Sequence, residues 1–325
     1  MCGICGLFNV EFSPKYILEK QDRRGGDAAG ILFKTEKGWS VKKGNILQSG
    51  LIESLTEEER KRIFESPIVI GHSRLATRGS PPQMENNHPI ITPDIIGVHN
   101  GTVTYSKEKE LNRNAEVDSE IIFLLLETEM KNLRSDFSNL KEVVEKSLHD
   151  LNGRGSCLFI HKNFPNVVFF LNFRKEAPYI YRVEFKGKRG LIVSSESLAI
   201  EFSFLKEIEG KDFSWSIVSP EENMVAVISE ANVIKKFEIS LPYIASVYKY
   251  HNIYMWTRDG EPFSYVKDLI DFTIEDLCPL LKLNVVGFDI IEKDGKLFPI
   301  EGNVAIGMGR YTAPPVYEAI QELWG

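Results

Sequence analysis

The sequence predicts an α+β layered fold, with sheets packed against helices, on three observations. Short apolar runs bounded by turn residues open the chain, two stretches with helical spacing of apolar residues occupy its middle, and a series of β-rich segments follows. No regular strand–helix alternation, internal repeat or low-complexity segment is present.

Residues 4–10 read as the first strand. Arg23-Arg24-Gly25-Gly26-Asp27-Ala28-Ala29-Gly30 is a glycine-rich turn ahead of a strand at 31–33. Thr56-Glu57-Glu58-Glu59 has the form of a capping box and opens a helix through Phe64. A second apolar strand at 67–71 ends at His72-Ser73-Arg74-Leu75-Ala76-Thr77-Arg78-Gly79. The stretch through His88-Pro89 is rich in Pro, Asn and Ser and reads as loop. Residues 95–98 then lead into His99-Asn100-Gly101. Asp118 stands at an N-cap position ahead of Ile121, Ile122 and Leu125. Leu140, Val143, Val144, Leu148 and Leu151 recur at helical spacing, with Gly153 as the stop. Strands are expected at 157–160, 167–171, 179–183, 191–193 and 224–228.

A chain of 325 residues suggests two domains or one large one. Hydrophobic content of 43% and charged content of 26% fit a globular core with an ordinary surface. A net charge of −7 argues against nucleic acid or an acidic membrane as main partner. No apolar run approaches the roughly 20 residues of a membrane span, and the start lacks the basic and apolar regions of a secretion signal. Cys2, Cys5, Cys157 and Cys278 form no disulfide framework, which fits a reducing cytoplasm. Cys2-x-x-Cys5 lacks the second ligand pair of a zinc site, and an apolar run follows it where a thioredoxin-like motif would open a helix. Cys5 is most simply a small buried residue of the first strand.

Cys2 is the residue with chemistry. Removal of Met1 would leave a thiol and an α-amine on one residue, and the amine can serve as general base. Reference pKa values of about 8.5 and about 7.7–8.0 make that proton transfer nearly isoenergetic. Four further segments line up behind Cys2: Arg24 to Gly30, Gly71 to Gly79, His99-Asn100-Gly101 and Asp118-Ser119-Glu120. With the Met1-Cys2-Gly3-Ile4 start, and with Ser194-Ser195-Glu196-Ser197-Leu198-Ala199 later, they resemble the class II glutamine amidotransferases over residues 2–240.

The resemblance implies a four-layer αββα sandwich of the N-terminal-nucleophile hydrolase type over residues 1–240. It implies hydrolysis of the glutamine side-chain amide through a thioester on Cys2, with no cofactor, and supply of ammonia to a partner. It assigns the oxyanion hole to the Asn100 side chain and the Gly101 backbone N–H, where one preorganised donor contributes about 3–4 kcal/mol to the barrier. Arg74 is assigned to the α-carboxylate, matching a planar fork to two oxygens, and Asp118 to the α-ammonium. Thr77 and His88 fall at family positions near the substrate. Taken alone, Asn100-Gly101 equally reads as a type I′ turn and Asp118 as a plain helix cap. The family branch resembling sugar-phosphate aminating enzymes often carries an aromatic residue where this chain has Leu75, which bears on coupling between loop closure and the ammonia acceptor. Arg24 and Asp27 read as shaping a loop beside the nucleophile. Two rival functions share these residues: a stand-alone γ-glutamyl amide hydrolase, and a silent binding subunit.

From about residue 241 that resemblance stops, which marks a second segment over 241–325. Asp294-Gly295 between two apolar runs signals a hairpin. A three-residue loop would set Asp289 opposite Glu301 with Asn303 on the same face, whereas a two-residue loop would separate them. Hard oxygen ligands of this kind suit magnesium held against nucleotide phosphates, and the segment resembles the final metal-binding hairpin of ATP-grasp ligases. The expectation is a small α/β segment resembling part of that fold, with Mg and ATP held only in a composite site with an ATP-dependent ligase or synthetase partner.

Overall fold

In a computed structural model, the structure describes residues 2–174, 178–218, 222–229 and 232–241, and the backbone of four short strands beyond them. The chain divides into a unit over Met1–Leu241 and a second over Pro242–Gly325.

The first unit holds thirteen strands: β1 (Gly3–Phe8), β2 (Ala28–Thr35), β3 (Gly38–Gly44), β4 (Ile68–Arg74), β5 (Ile90–Ile91), β6 (Ile95–Tyr105), β7 (Leu151–His161), β8 (Val168–Phe173), β9 (Tyr179–Phe185), β10 (Lys188–Ser194), β11 (Phe213–Val218), β12 (Met224–Ser229) and β13 (Asn232–Glu238). Its helices are α1 (Lys15–Lys20), α2 (Gln48–Ser54), α3 (Glu57–Phe64), α4 (Ser119–Met130), α5 (Leu140–Ser147) and α6 (Ala199–Glu209). Two antiparallel sheets result, in the orders β11-β9-β10-β1-β4-β2-β3 and β13-β12-β8-β7-β6-β5.

Side-chain parity decides how the layers stack. Alternate residues of a strand face opposite sides, so β1 sends Ile4 and Phe8 inward against the other sheet, and Cys5 and Leu7 outward. Ile4, Phe8, Leu32 and Ile70 of the seven-stranded sheet share one apolar core with Val98, Leu158, Phe170 and Ala226 of the six-stranded sheet. Outward residues of the first sheet pack under Ile17, Leu18, Leu51, Ile52, Ile63 and Phe202 of four helices. Those of the second pack under α4 and α5 through Ile121, Ile122, Leu126, Leu140, Val143 and Val144. The order helix, sheet, sheet, helix is the expected αββα sandwich. Gly6 sets the spacing of its interior, since a Cβ there would stand 2.7 Å from Leu158 Cδ1.

The capping box at Thr56 and Glu59 forms as read. Three local expectations change. Asn100-Gly101 lies inside β6, opposite Ser156 and Gly155, because an eleven-residue partner strand overrides the turn preference. Helix α5 stops at Ser147; Leu151 opens β7 and Gly153 sits within it at φ 102°. Asp118 holds the N-cap position of α4 but its carboxylate does not cap; it accepts instead from Val103 N–H at 2.8 Å, in β6.

The second unit contains β14 (Lys249–Tyr250), β15 (Ile253–Tyr254), β16 (Gly287–Lys293) and β17 (Lys296–Asn303), paired in that order. Lys293 pairs with Lys296, so two residues separate β16 from β17, against the three needed to align the acids. Asp289 nevertheless pairs with Glu301, because a register shift between Asp289 and Ile290 absorbs one residue beside Pro299. Proline has no N–H for the ladder and belongs at such an irregularity or on an edge strand. The metal-ligand expectation for the Asp289, Glu301 and Asn303 side chains lies outside the described residues.

Candidate active site

Parity carries the predicted residues to one place. Cys2 precedes Ile4 and Phe8 in the inward series of β1, Arg74 ends the inward series Ile68, Ile70, His72 of β4, and Asn100 continues Ile96 and Val98 of β6. The nucleophile and the carboxylate-binding candidate therefore stand on one sheet and the oxyanion candidate on the other, at the polar end of a shared apolar interior.

Cys2 is held by backbone. Its sulfur accepts from Leu75 N–H at 3.4 Å and lies 3.6 Å from the Leu75 carbonyl. Arg24 Nε donates to the Cys2 carbonyl at 3.1 Å, while its Nη1 reaches the Ser195 carbonyl at 3.2 Å and Glu196 Oε1 at 3.0 Å. The glycine-rich turn grips the other side of Leu75. Asp27 N–H donates to the Arg74 carbonyl at 3.0 Å, and Asp27 Oδ2 accepts from Ala76 N–H at 2.7 Å. Gly25 packs so closely that a Cβ would stand 2.4 Å from Arg74 C and 2.5 Å from Leu75 N. Arg24 and Asp27 thus frame the nucleophile, as their place in the sequence suggested.

Arg74 is buried, and its guanidinium shapes the loop that follows. Nη1 donates to Asn87 Oδ1 at 2.6 Å, and Nη2 to the carbonyls of Arg78 and Gly79 at 2.6 and 2.8 Å. Leu75 and Thr77 on that loop are exposed. Asn86 pins its far end, donating to Glu116 Oε2 at 2.9 Å and accepting from Glu116 N–H at 2.7 Å.

On the opposite sheet Asn100 Nδ2 donates to Ser195 Oγ at 3.4 Å. Gly101 is required by its neighbour strand: a Cβ there would lie 2.1 Å from the Arg154 carbonyl and 2.6 Å from His99 Nε2. Close packing on β7 is therefore reason enough for glycine at this position. Asp118 is half-buried at the start of α4. Glu120, fully buried beside it, accepts from Asn114 and Ala115 N–H at 2.9 and 2.8 Å and fixes the segment leading to Asp118. His88 is buried and stacked on His72 at 3.9 Å between ring centroids, and His72 Nε2 donates to the His99 carbonyl at 3.1 Å.

Burial pushes the Cys2 thiol up, opposed by the Leu75 N–H and the Arg74 charge, while Asp118 adds to the rise. Such a thiol carries little thiolate near neutrality and needs a base to attack. Cys5 is pushed to about 12 by burial and is inert, as a strand-core cysteine should be. Burial lowers Arg74 below the usual guanidinium value, and Cys2, Asp27, Asp118 and Glu116 oppose that change. His72 is lowered to about 3, and His88 well below its ordinary value, both chiefly by burial, so both rings are neutral.

Ser195 and Glu120 stood only as members of quoted motifs with no role read for them, and Asn86, Asn87 and Glu116 were not named at all. Ser195 bonds partners 95 and 191 positions away, which no local spacing reveals. Among the described residues, no group of three or more His, Cys, Asp or Glu could hold a metal ion, and no helix is long and apolar enough to cross a membrane.

No protein-family model matches the chain. It is similar to the glutamine–fructose-6-phosphate aminotransferase (isomerizing) of Thermococcus kodakarensis, 28% identical over 248 residues, covering 73% of this chain and 39% of the relative. The enzyme of the same name from Chlamydia pneumoniae is 30% identical over 214 residues, covering 61% and 32%. This chain spans less than two-fifths of the length of these relatives. Among solved structures, the glutamine phosphoribosylpyrophosphate amidotransferase of B. subtilis, complexed with ADP and GMP, aligns with TM-score 0.51 at 20% identity, over 75% of this chain and 50% of that one. A structure described as the allosteric regulatory enzyme of purine biosynthesis aligns with TM-score 0.52 at 19% identity. The two solved structures share this fold over 75% of the chain.

Proposed function

We propose that this chain is a glutaminase of the class II amidotransferase type. One observation carries the reading: Cys2, held at the Leu75 N–H, and Asn100, held at Ser195, converge from two sheets on one end of the sandwich. Glutamine binds with its α-carboxylate toward Arg74 and its α-ammonium toward Asp118; Thr77, on the exposed loop, closes over it, and His88 supports the site from behind. Once Met1 is removed, the Cys2 amine takes the thiol proton as sulfur attacks the side-chain carbonyl. The oxyanion is met by the Asn100 amide and the Gly101 N–H. The proton passes to the leaving nitrogen, ammonia departs, and water cleaves the thioester to release glutamate and restore the thiol.

The test is glutamate release by the processed chain, with mass spectrometry to establish loss of Met1. Cys2→Ala should abolish activity, and full activity in that variant overturns the reading.

The destination of the ammonia is the finer part of the proposal. The register pairing of Asp289 with Glu301 supports a second unit that completes the site of an ATP-dependent ligase. Magnesium held by one or two carboxylates needs phosphate oxygens and further protein groups, so the chain alone should not bind Mg–ATP tightly. Calorimetry of the chain with and without a candidate ligase decides this. Micromolar binding by the chain alone refutes a composite site, and binding only with the partner, lost in Glu301→Ala, supports it.

A further inference from the structure

The edge strand of a sheet presents N–H and C=O groups that no neighbouring strand satisfies, and folded proteins blunt such edges with short strands, charge or proline. At the edges of the two sheets of the first unit, β3 carries Lys42 and Lys43, β13 carries the exposed Lys235 and Lys236, and β5 has only two residues. Strand β11 lacks every one of these devices. Its sequence, Phe213-Ser214-Trp215-Ser216-Ile217-Val218, holds no charge and no proline, and it pairs with β9 in unbroken register.

Which groups point out of that edge follows from one hydrogen bond. Lys186 N–H donates to the Asp212 carbonyl at 2.9 Å, and these two residues extend the β9–β11 register by one directly opposite pair. Hydrogen-bonded and non-hydrogen-bonded positions alternate along an antiparallel pair, so Ser214, Ser216 and Val218 bond to β9. Phe213, Trp215 and Ile217 therefore aim their N–H and C=O groups away from the sheet. The turn between β9 and β10 agrees. Positive φ at Lys186 and Gly187 makes a two-residue hairpin, which turns the Phe185 backbone groups toward Lys188 and not toward β11.

The side chains narrow the choice of partner. Phe213 and Trp215 pack under α6, with ring centroids 5.7 and 5.5 Å from that of Phe202. Ile217 continues their series and is 52% exposed. Ser214 and Ser216, on the other face, are exposed. About Trp215 the strand is a palindrome in kind: apolar, Ser, Trp, Ser, apolar. A two-fold contact requires such self-complementarity. With two copies antiparallel about an axis through Trp215, Phe213 of each meets Ile217 of the other, Ser214 meets Ser216, and Trp215 meets its counterpart. The outward backbone groups then fall opposite one another, each facing pair exchanging two hydrogen bonds. No charge opposes a like charge in this register.

We propose that β11 is the seam of a two-fold dimer, in which a second copy of this chain pairs with it antiparallel and carries the seven-stranded sheet across the axis. The seam does not depend on the glutaminase reading.

Sedimentation velocity of the full chain over a concentration series is the test. The parent should reach twice the chain mass of 37.0 kDa as concentration rises. Ile217→Pro removes an N–H that points out of the sheet and spares the ladder to β9, so it should weaken association about tenfold or more. Ser214→Lys with Ser216→Lys sets like charges opposite each other on both sides of the axis and should weaken it similarly, as should Ser214→Glu with Ser216→Glu. An equimolar mixture of these two charged variants should associate again. Circular dichroism checks the fold of each, and the charged variants, changed only at exposed positions, decide the matter if the proline variant misfolds. A parent that stays monomeric overturns the proposal, and slow amide exchange at Phe213, Trp215 and Ile217 in that monomer would assign the edge to another segment of the same chain. A dimer that survives the charged pairs, or a mixture of the two charged variants that stays monomeric, overturns it as well.

Discussion

Gly25→Ala isolates the geometry of the nucleophile from its chemistry. The added Cβ would lie 2.4 Å from Arg74 C, 2.5 Å from Leu75 N and 2.6 Å from the Arg74 carbonyl oxygen, where ordinary contact begins at 3.4 Å. Relief requires the turn and the Arg74–Leu75 backbone to separate by 3.4 − 2.4, or 1.0 Å. Neither side yields freely: Arg24 ties the turn to the Cys2 carbonyl, and Asp27 ties it to Arg74 and Ala76. The movement therefore falls on the Leu75 N–H and the Cys2 sulfur it touches. Overpacking of this kind costs about 1–3 kcal/mol of stability, or a Tm lower by about 2–12 °C for a unit of this size. A misplacement of about 1 Å costs roughly 10²-fold in rate, equivalent to about 2.7 kcal/mol in the barrier. Glutamate release at saturating glutamine, measured beside a melting curve, reads both quantities. Turnover equal to the parent chain would refute the claim that Gly25 positions the nucleophile.

Asn100→Ala should lower kcat far more than it raises KM, and Arg74→Ala should chiefly raise KM with some loss of kcat from the loosened 75–79 loop; steady-state kinetics showing the reverse would exchange their roles. Iodoacetamide should alkylate Cys2 in chain retaining Met1 more slowly than a free cysteine at pH 8, because burial raises the thiol pKa and depletes thiolate; faster labelling would contradict the assignment. Stability should fall as pH drops from about 6.5 toward 3. The unfolded chain protonates its histidines near 6.5 while His72, lowered to about 3, and His88, lowered well below its ordinary value, stay neutral in the folded one, so each ring costs about 1.4 kcal/mol per pH unit for as long as it remains neutral. Urea midpoints equal at pH 7.0 and 5.5 would refute it.

The nucleophile candidate was legible because a cysteine behind the initiator methionine carries its own base. Cys2 was read from its own chemistry, and Arg74, Asn100 and Asp118 only through motifs that carry a family resemblance; parity in β1, β4 and β6 would have placed Cys2, Arg74 and Asn100 on inward faces. The supporting polar contacts were not legible, because Ser195 and Asn87 act through partners that only folding brings close. Local fold reading failed where pattern is ambiguous. Helix α6 carries apolar residues around much of its circumference, with Phe202 fully buried and Ile200 76% exposed, so no single stripe betrays it. Strand β3 is half-buried at every position and mixes Trp39 and Val41 with Lys42 and Lys43. The Asn100-Gly101 turn signal was real as a propensity and lost to the long pairing of β6 with β7.

The interior between the sheets is built from Ile, Leu, Val and Phe side chains, whose attraction has no preferred direction. Such a filling resists separation of the two plates far better than it resists their sliding by a fraction of an ångström. Alignment therefore falls to a small number of polar fasteners, among them His72 on the His99 carbonyl and Asn100 on Ser195. The molecule resembles an instrument whose housing tolerates what its optics do not. Sliding of the plates would show first as lost turnover, while the melting curve hardly changed. Gly6, with Leu158 2.7 Å from where its Cβ would be, is the shim that sets their separation.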